Sequence, residues 1–238
     1  MLAVIGGSGF LGLGKTIEKL DIVTPYGLAS VNKVKILDEE LYFLPRHGES
    51  HSIPPHMINY KANISALRKL GVSAVFATYA SGIISKYKPG DLVLLEDFIG
   101  LDTPITFYDD FSSGIKHMDF TEPFDRRLKL RVLEIADSEK IKIKEGGIIV
   151  TTCGPRFETK AEVAALKKMG ANLVNMTCGY EATLIKEAEI PFAALAIGTN
   201  YACGISKKKL SHEEVSTAME KAKGKIDGII GGLLEVVS

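Results

Sequence analysis

The sequence predicts one α/β domain, a mixed, twisted β-sheet flanked by α-helices. Three observations carry this. Short apolar, β-branched runs recur along the chain, helical spacings lie between several of them, and 238 residues suit one large domain. A chain of that length can bury enough surface to fold without disulfides or metals.

The runs expected as strands are Leu2–Ile5, Ala29–Ile36, Leu41–Leu44, Val72–Thr78, Leu92–Leu95, Gly147–Thr151, Asn172–Asn175 and Phe192–Ile197. The early ones are spaced like hairpins. Ile58, Ala62, Ala66 and Leu70 fall four apart and mark a helix. After residue 140 strands alternate with helices, which implies βα units and parallel pairing. Val215, Met219, Ala222, Ile226, Ile229 and Leu233 recur at threes and fours, the pattern of a C-terminal amphipathic helix. Gly100–Asp125 has no period. It holds Pro104, aromatic side chains, a Ser-Ser-Gly turn and His117, and is expected to be an ordered binding loop. No linker or repeat divides residues 1–238.

Lys plus Arg and Asp plus Glu both number 29, so no net charge draws the chain to nucleic acid or to a membrane. Small-molecule chemistry is expected instead. Met1-Leu2-Ala3-Val4-Ile5 lacks a basic leader, and no apolar run approaches the ~18 residues of a membrane span. A cytoplasmic location is therefore expected. Cys153, Cys178 and Cys203 form no CxxC pair, which favours reduced thiols over a disulfide framework or a zinc site.

Gly6-Gly7-Ser8-Gly9 follows the first strand, where backbone N–H groups and the Ser8 hydroxyl can cradle a phosphate. The same stretch formally fits a dinucleotide fingerprint (Gly7, Gly9, Gly12) and a Walker A loop (Gly9, Gly14, Lys15, Thr16). Both need a substantial helix next, and Ile17–Leu20 is barely one turn. A bare structural turn is the other alternative. Arg46-His47-Gly48-x-x-His51 ends a short strand. Arg46 offers a planar donor fork for phosphate and His47 a further donor. Metal ligation by His47, His51 and His56 is disfavoured by Gly48 and Pro54-Pro55, which oppose a helix, and no metal is expected.

Phe157 and Glu158, in Gly154-Pro155-Arg156-Phe157-Glu158-Thr159, can stack on a flat base and accept from a ring N–H. The alternative makes Phe157 core and Glu158 a charge favoured at a helix N-terminus. Asn175-Met176-Thr177 and Thr199-Asn200 each end an apolar run, and Asn carries both donors and an acceptor for a purine edge. Ser8, Arg46-His47, Ala80-Ser81, Phe157-Glu158, Met176-Thr177 and Asn200 would all fall at carboxyl ends of strands, where α/β sheets bind ligands.

With these motifs in place, and with Asn59-Tyr60-x-Ala62-Asn63, Pro89-Gly90-Asp91 and the run through Ala161-Glu162, the chain resembles the trimeric purine nucleoside phosphorylase and methylthioadenosine phosphorylase family over nearly its whole length. Arg46-His47-Gly48 looks like the methylthioadenosine branch. That branch has acidic residues where Asn200 and Ala202 stand, and here Asn200 with Phe157-Glu158-Thr159 is similar to the inosine and guanosine phosphorylases. One departure is Tyr79, where the methylthioadenosine branch usually has Thr. Tyr79 is not expected in the site, and contact there falls to the backbone at Ala80.

The resemblance implies a nucleoside phosphorylase-like fold and phosphorolysis of 6-oxopurine nucleosides to base and ribose 1-phosphate, in purine salvage. It implies phosphate held by Ser8, Arg46, His47, Ala80 and Thr177, with no organic cofactor. It places Asn200 and Glu158 on the base as catalytic groups with His47, Phe157 packed on the ring, and Met176 at the ribose. Ser211-His212-Glu213-Glu214-Val215 looks like the segment that brings a histidine to the ribose 5′-hydroxyl; a surface histidine is the alternative for His212. His117 is expected in a neighbouring subunit's 5′ pocket, within a homotrimer or a dimer of trimers. The alternatives are a methylthioinosine or methylthioadenosine phosphorylase, and a non-catalytic purine or phosphate binder.

Overall fold

The computed structural model describes residues 1–10, 12–36, 38–101, 103–112, 114–206 and 212–237, without the side chains of His212 and Val237. Its strands are β1 (Leu2–Gly6), β2 (Lys15–Thr24), β3 (Gly27–Ile36), β4 (Glu39–Pro45), β5 (Ala74–Ile83), β6 (Leu92–Gly100), β7 (Ile143–Thr151), β8 (Leu173–Asn175) and β9 (Phe192–Tyr201). Its helices are α1 (Tyr60–Lys69), α2 (Arg126–Ser138), α3 (Lys160–Lys168), α4 (Cys178–Glu187) and α5 (His212–Val237).

The strands form one mixed sheet in the order β2-β3-β4-β1-β5-β8-β7-β6-β9. β2, β3 and β4 pair antiparallel as the hairpins expected from the early runs, while β1 lies parallel to both β4 and β5. β5 also pairs parallel with β9, and β6 runs antiparallel to β9 over Leu92–Leu94. Since β8 meets β5 at Gly82 and Ile83, the strands β5-β8-β7-β6-β9 close into a ring. Closure removes two exposed edges. It also gathers the carboxyl ends of β7 and β8 beside the last residues of β5 and β9.

β2 lies outside the runs expected as strands. Lys15–Thr24 is one strand, so no helix follows Gly14 and both nucleotide-loop alternatives lose their required context. Phe10, Leu13 and the one buried face of β3 tie this start to the sheet.

Two apolar layers sandwich the sheet. One holds Tyr60, Ile64 and Leu67 of α1 with Ala182, Leu184 and Ile185 of α4. The other holds Leu128 and Val132 of α2 with Met219, Ile226, Ile229, Ile230 and Leu233 of α5. Each such side chain contributes roughly 1.5–3 kcal/mol on burial, which is how α5 is held along the sheet. α2 begins at Asp125, whose side chain accepts from Leu128 N–H, and α3 at Thr159, which forms a capping box with Glu162. Among the described residues, 101–125 contain no helix or strand. Glu187 pins the start of that loop, accepting from Thr106 Oγ1 (2.7 Å) and Phe107 N (2.6 Å).

Candidate active site

A cleft of about 550 Å³ opens where the loops after β1, β4, β7 and β8 meet the ends of β5 and β9. Ser8, Arg46, His47, Ala80, Phe157, Glu158, Met176, Thr177 and Asn200 all line it. His117 does not line its own chain's cleft. It is exposed and packs edge-on against Phe111, 5.9 Å between ring centroids. The side chain of His212 lies outside the described residues, although Val215, one turn along α5, lines the cleft.

The cleft brings the Ser8 turn, Thr177 and Arg46 into one lining. The Gly6-Gly7-Ser8 turn comes off β1, and Ser8 Oγ lies 3.0 Å from His51 Nε2. Thr177 stands at the N-terminus of α4 without a capping hydrogen bond of its own, where the helix dipole favours negative charge. The first N–H groups of α4 are occupied internally: Cys178 N donates to Asn175 Oδ1 and Gly179 N to Thr151 Oγ1. That leaves the Thr177 hydroxyl as a group this helix end can offer.

Arg46 departs from expectation. Its fork is taken by Glu181, with Nε to Oε1 at 2.7 Å and Nη2 to Oε2 at 3.0 Å. Nη1 donates to Thr78 O at 3.0 Å. Both side chains of the pair are only 2% exposed. The reason is local. Burying a guanidinium is costly unless it is paired, and Glu181 lies on the buried stripe of α4 with Cys178, Ala182 and Ile185. Burial would lower the Arg46 pKa, but Glu181 and Tyr79 outweigh it and the pKa is raised, so the group stays charged.

Tyr79, left out on sequence grounds, is part of the cleft wall. Its hydroxyl donates to Glu181 Oε2 at 2.6 Å, and its ring lies 4.6 Å from the Arg46 guanidinium carbon. Burial and the nearby Glu181 charge push its pKa well up, so it acts as a neutral donor. Glu181 itself escaped sequence reasoning. The available signal was its helical register: it sits three residues after Cys178 and four before Ile185, on an apolar face.

His47 also changes role. Its Nδ1 lies 2.8 Å from Ile53 O, and a carbonyl can only accept, so Nδ1 carries the proton. Burial, with Arg46 and His51 adding to it, lowers its pKa to about 4. Neutral His47 therefore presents Nε2 as an acceptor, suited to a P–OH rather than to a bare phosphate oxygen. The sign for stability follows. The unfolded chain binds this proton near pH 6.5 and the folded chain only near 4, so the contribution is present above 6.5 and lost as pH falls toward 4. Thermal unfolding of His47→Gln should lose less Tm than the unmodified protein between pH 6.5 and 4. Parallel curves would show that His47 is not the group responsible.

The same cleft is also lined by a buried carboxylate, an amide and an aromatic ring, from Glu158, Asn200 and Phe157. Glu158 is buried, and its Oε1 accepts from Thr152 Oγ1 at 2.7 Å, which leaves Oε2 as a further acceptor. Asn200 Nδ2 donates to Tyr201 O at 3.0 Å, and Thr199 Oγ1 lies 2.7 Å from Asn200 Oδ1. Flipping the amide would set two oxygens 3.0 Å apart, so this orientation is fixed and one N–H remains to be offered. Phe157, 44% exposed, stands at the rim rather than in the core. Among the described residues no cluster of three or more His, Cys, Asp or Glu could hold a metal ion.

Against known proteins, the family model described as the phosphorylase superfamily matches residues 2–235. The chain is 42% identical over 229 residues to the 6-oxopurine nucleoside phosphorylase of Pyrococcus furiosus, covering 92% of this chain and 86% of that one. It is 39% identical over 240 residues to a Methanopyrus kandleri protein named probable S-methyl-5′-thioinosine phosphorylase, covering 99% and 92%. Among solved structures, methylthioadenosine phosphorylase from Schistosoma mansoni in complex with adenine superposes with a TM-score of 0.91 at 30% identity, over 99% of this chain and 91% of that one. With the expected fold in hand and a match across nearly every residue, this chain belongs to the phosphorylase superfamily and, within it, to the purine nucleoside phosphorylases.

Proposed function

We propose that the protein cleaves 6-oxopurine nucleosides, inosine and guanosine, with inorganic phosphate as co-substrate and no other cofactor. The observation that carries this is that Glu158, an acceptor for a ring N–H, and Asn200, a fixed amide donor, line one cleft. The C1′–N9 bond breaks with its electron pair leaving on the purine, and a phosphate oxygen bonds to C1′. The proton of hydrogenphosphate ends on the released base. Asn200 stabilises the charge gathering at N7 and O6, Glu158 holds N1–H, and Phe157 covers the ring. These contacts strengthen as charge develops, which is what lowers a barrier. Ser8, Thr177, the backbone at Ala80 and the remaining N–H of Arg46 hold phosphate, His47 accepts its P–OH, and Met176 borders the ribose.

Incubation with inosine and phosphate tests the proposal. Hypoxanthine and ribose 1-phosphate are expected in equal amounts; no hypoxanthine, or release without phosphate, would reject it. A second reading, S-methyl-5′-thioinosine as the preferred substrate, is favoured by apolar Val215 in the cleft wall. It keeps the base contacts and exchanges the 5′-hydroxyl, assigned to His212, for a thioether. The ratio of kcat/KM for the two nucleosides decides between them.

We further propose a homotrimer, or a dimer of trimers, in the cytoplasm. His117 of one subunit would reach the 5′ end of a neighbour's cleft, which accords with its exposure and distance from its own. A monomer that keeps full activity on dilution would reject the assembly. No helix among the described residues is long and apolar enough to cross a membrane.

A further inference from the structure

The Arg46–Glu181–Tyr79 cluster is more than phosphate binding requires. Arginine alone would give an anion site a full positive charge, yet this guanidinium is bidentate to a carboxylate and backed by a tyrosine hydroxyl on the same oxygen. A buried ion pair is weak evidence for stability, since apolar replacements often do as well, so its presence asks for another cause. The guanidinium is also held in place from the other side. A Cβ added at Gly7 would overlap Arg46 Nη1, so the glycine turn lies directly against it. Two of the guanidinium N–H groups go to Glu181, one to Thr78 O and one to Ile5 O at 3.5 Å, which leaves one N–H of Nη1 on a residue that lines the cleft.

We propose that Glu181 is a positioning residue that fixes Arg46 and cancels its charge, so that bound phosphate keeps its negative charge for the ribosyl cation forming at C1′. This rests on the phosphorolysis proposed above. The neighbours fit it: His47 is neutral at working pH, and Ser8, Thr177 and the Ala80 backbone bring hydrogen bonds without net charge. A fully cationic site would bind phosphate more tightly in the ground state. It would also blunt the attraction between phosphate and the oxocarbenium-like transition state, and only interactions stronger in the transition state speed the step.

The experiment is steady-state kinetics of Glu181→Gln, which keeps size and polarity but unmasks the Arg46 charge. Phosphate KM is expected to fall roughly threefold or more while kcat falls about tenfold or more, a split that plain damage to the site does not produce. Tyr79→Phe keeps the charge balance and should not show it. Should Glu181→Gln fail to fold, Glu181→Asp keeps the charge but shortens the reach. It should raise phosphate KM with little loss of kcat at saturation, and an unchanged phosphate KM would overturn the positioning role. Phosphate-dependent turnover by the unmodified protein checks the functional proposal by itself. If that turnover is present but Glu181→Gln raises KM and lowers kcat together, or changes neither, the functional proposal stands and this one is overturned.

Discussion

Inosine and guanosine should be cleaved with a kcat/KM roughly 10⁴–10⁵ above that for adenosine or methylthioadenosine, because a site built to hydrogen-bond one pattern leaves its polar groups unpaired against the other. Glu158 is buried, and Thr152 already donates to Oε1, which leaves Oε2 to accept. Hypoxanthine and guanine bring a proton on N1 to the second oxygen. Adenine brings a lone pair, so carboxylate and ring nitrogen would repel. Asn200 works in the same direction: its amide is held by Tyr201 O and Thr199 Oγ1, so the proposed base contact would meet N–H and not a carbonyl. Asn200→Asp should move the preference toward 6-amino substrates, and further when Glu158 is also changed. Equal kcat/KM for inosine and adenosine on the unmodified protein would reject the base-pocket assignment, leaving the phosphate end of the cleft unaffected.

The sequence made the fold readable where periodicity and sheet position agree. The buried parallel strands β1, β5, β7 and β9 stand out as continuous apolar runs because both faces are covered. β2 does not, since most of its residues are exposed and its alternation is weak. α2 was legible in principle from Asp125 with Leu128, Val132 and Ala136 four apart. In the cleft, the residues at strand ends were found because loops there have few structural reasons to carry Ser, Arg, Glu or Asn. What the sequence hid was partnership. Arg46 was singled out for its donor fork, but nothing local reveals that the fork is taken by a carboxylate 135 residues away. The protonated nitrogen of His47 likewise depends on a carbonyl six residues on. Such roles are set by tertiary burial, which a motif does not encode.

Arg46→Ala should produce a large loss of both stability and turnover, and the two can be separated. Removing the guanidinium strands Glu181, 2% exposed, and leaves the Tyr79 hydroxyl to donate to its carboxylate. Breaking a buried pair from one side typically costs about 3–5 kcal/mol. For a chain of this size that is a fall in Tm of about 6–20 °C. Loss of the N–H proposed to hold phosphate adds a rate penalty, roughly ten- to hundredfold for a charge-assisted bond. A triple variant, Arg46→Met with Glu181→Leu and Tyr79→Phe, removes every member of the cluster and leaves no carboxylate or hydroxyl of it unpaired. Its Tm should return most of the way to that of the unmodified protein, because apolar replacement of a buried ion pair is often neutral or stabilising. Its phosphorolysis should stay low, with the deficit in phosphate dependence rather than in nucleoside binding. Recovery of activity along with stability would show that Arg46 serves the core and not the phosphate. Failure of Tm to recover would mean that the cluster organises the β1–β4–β5 junction in a way its charges alone do not explain.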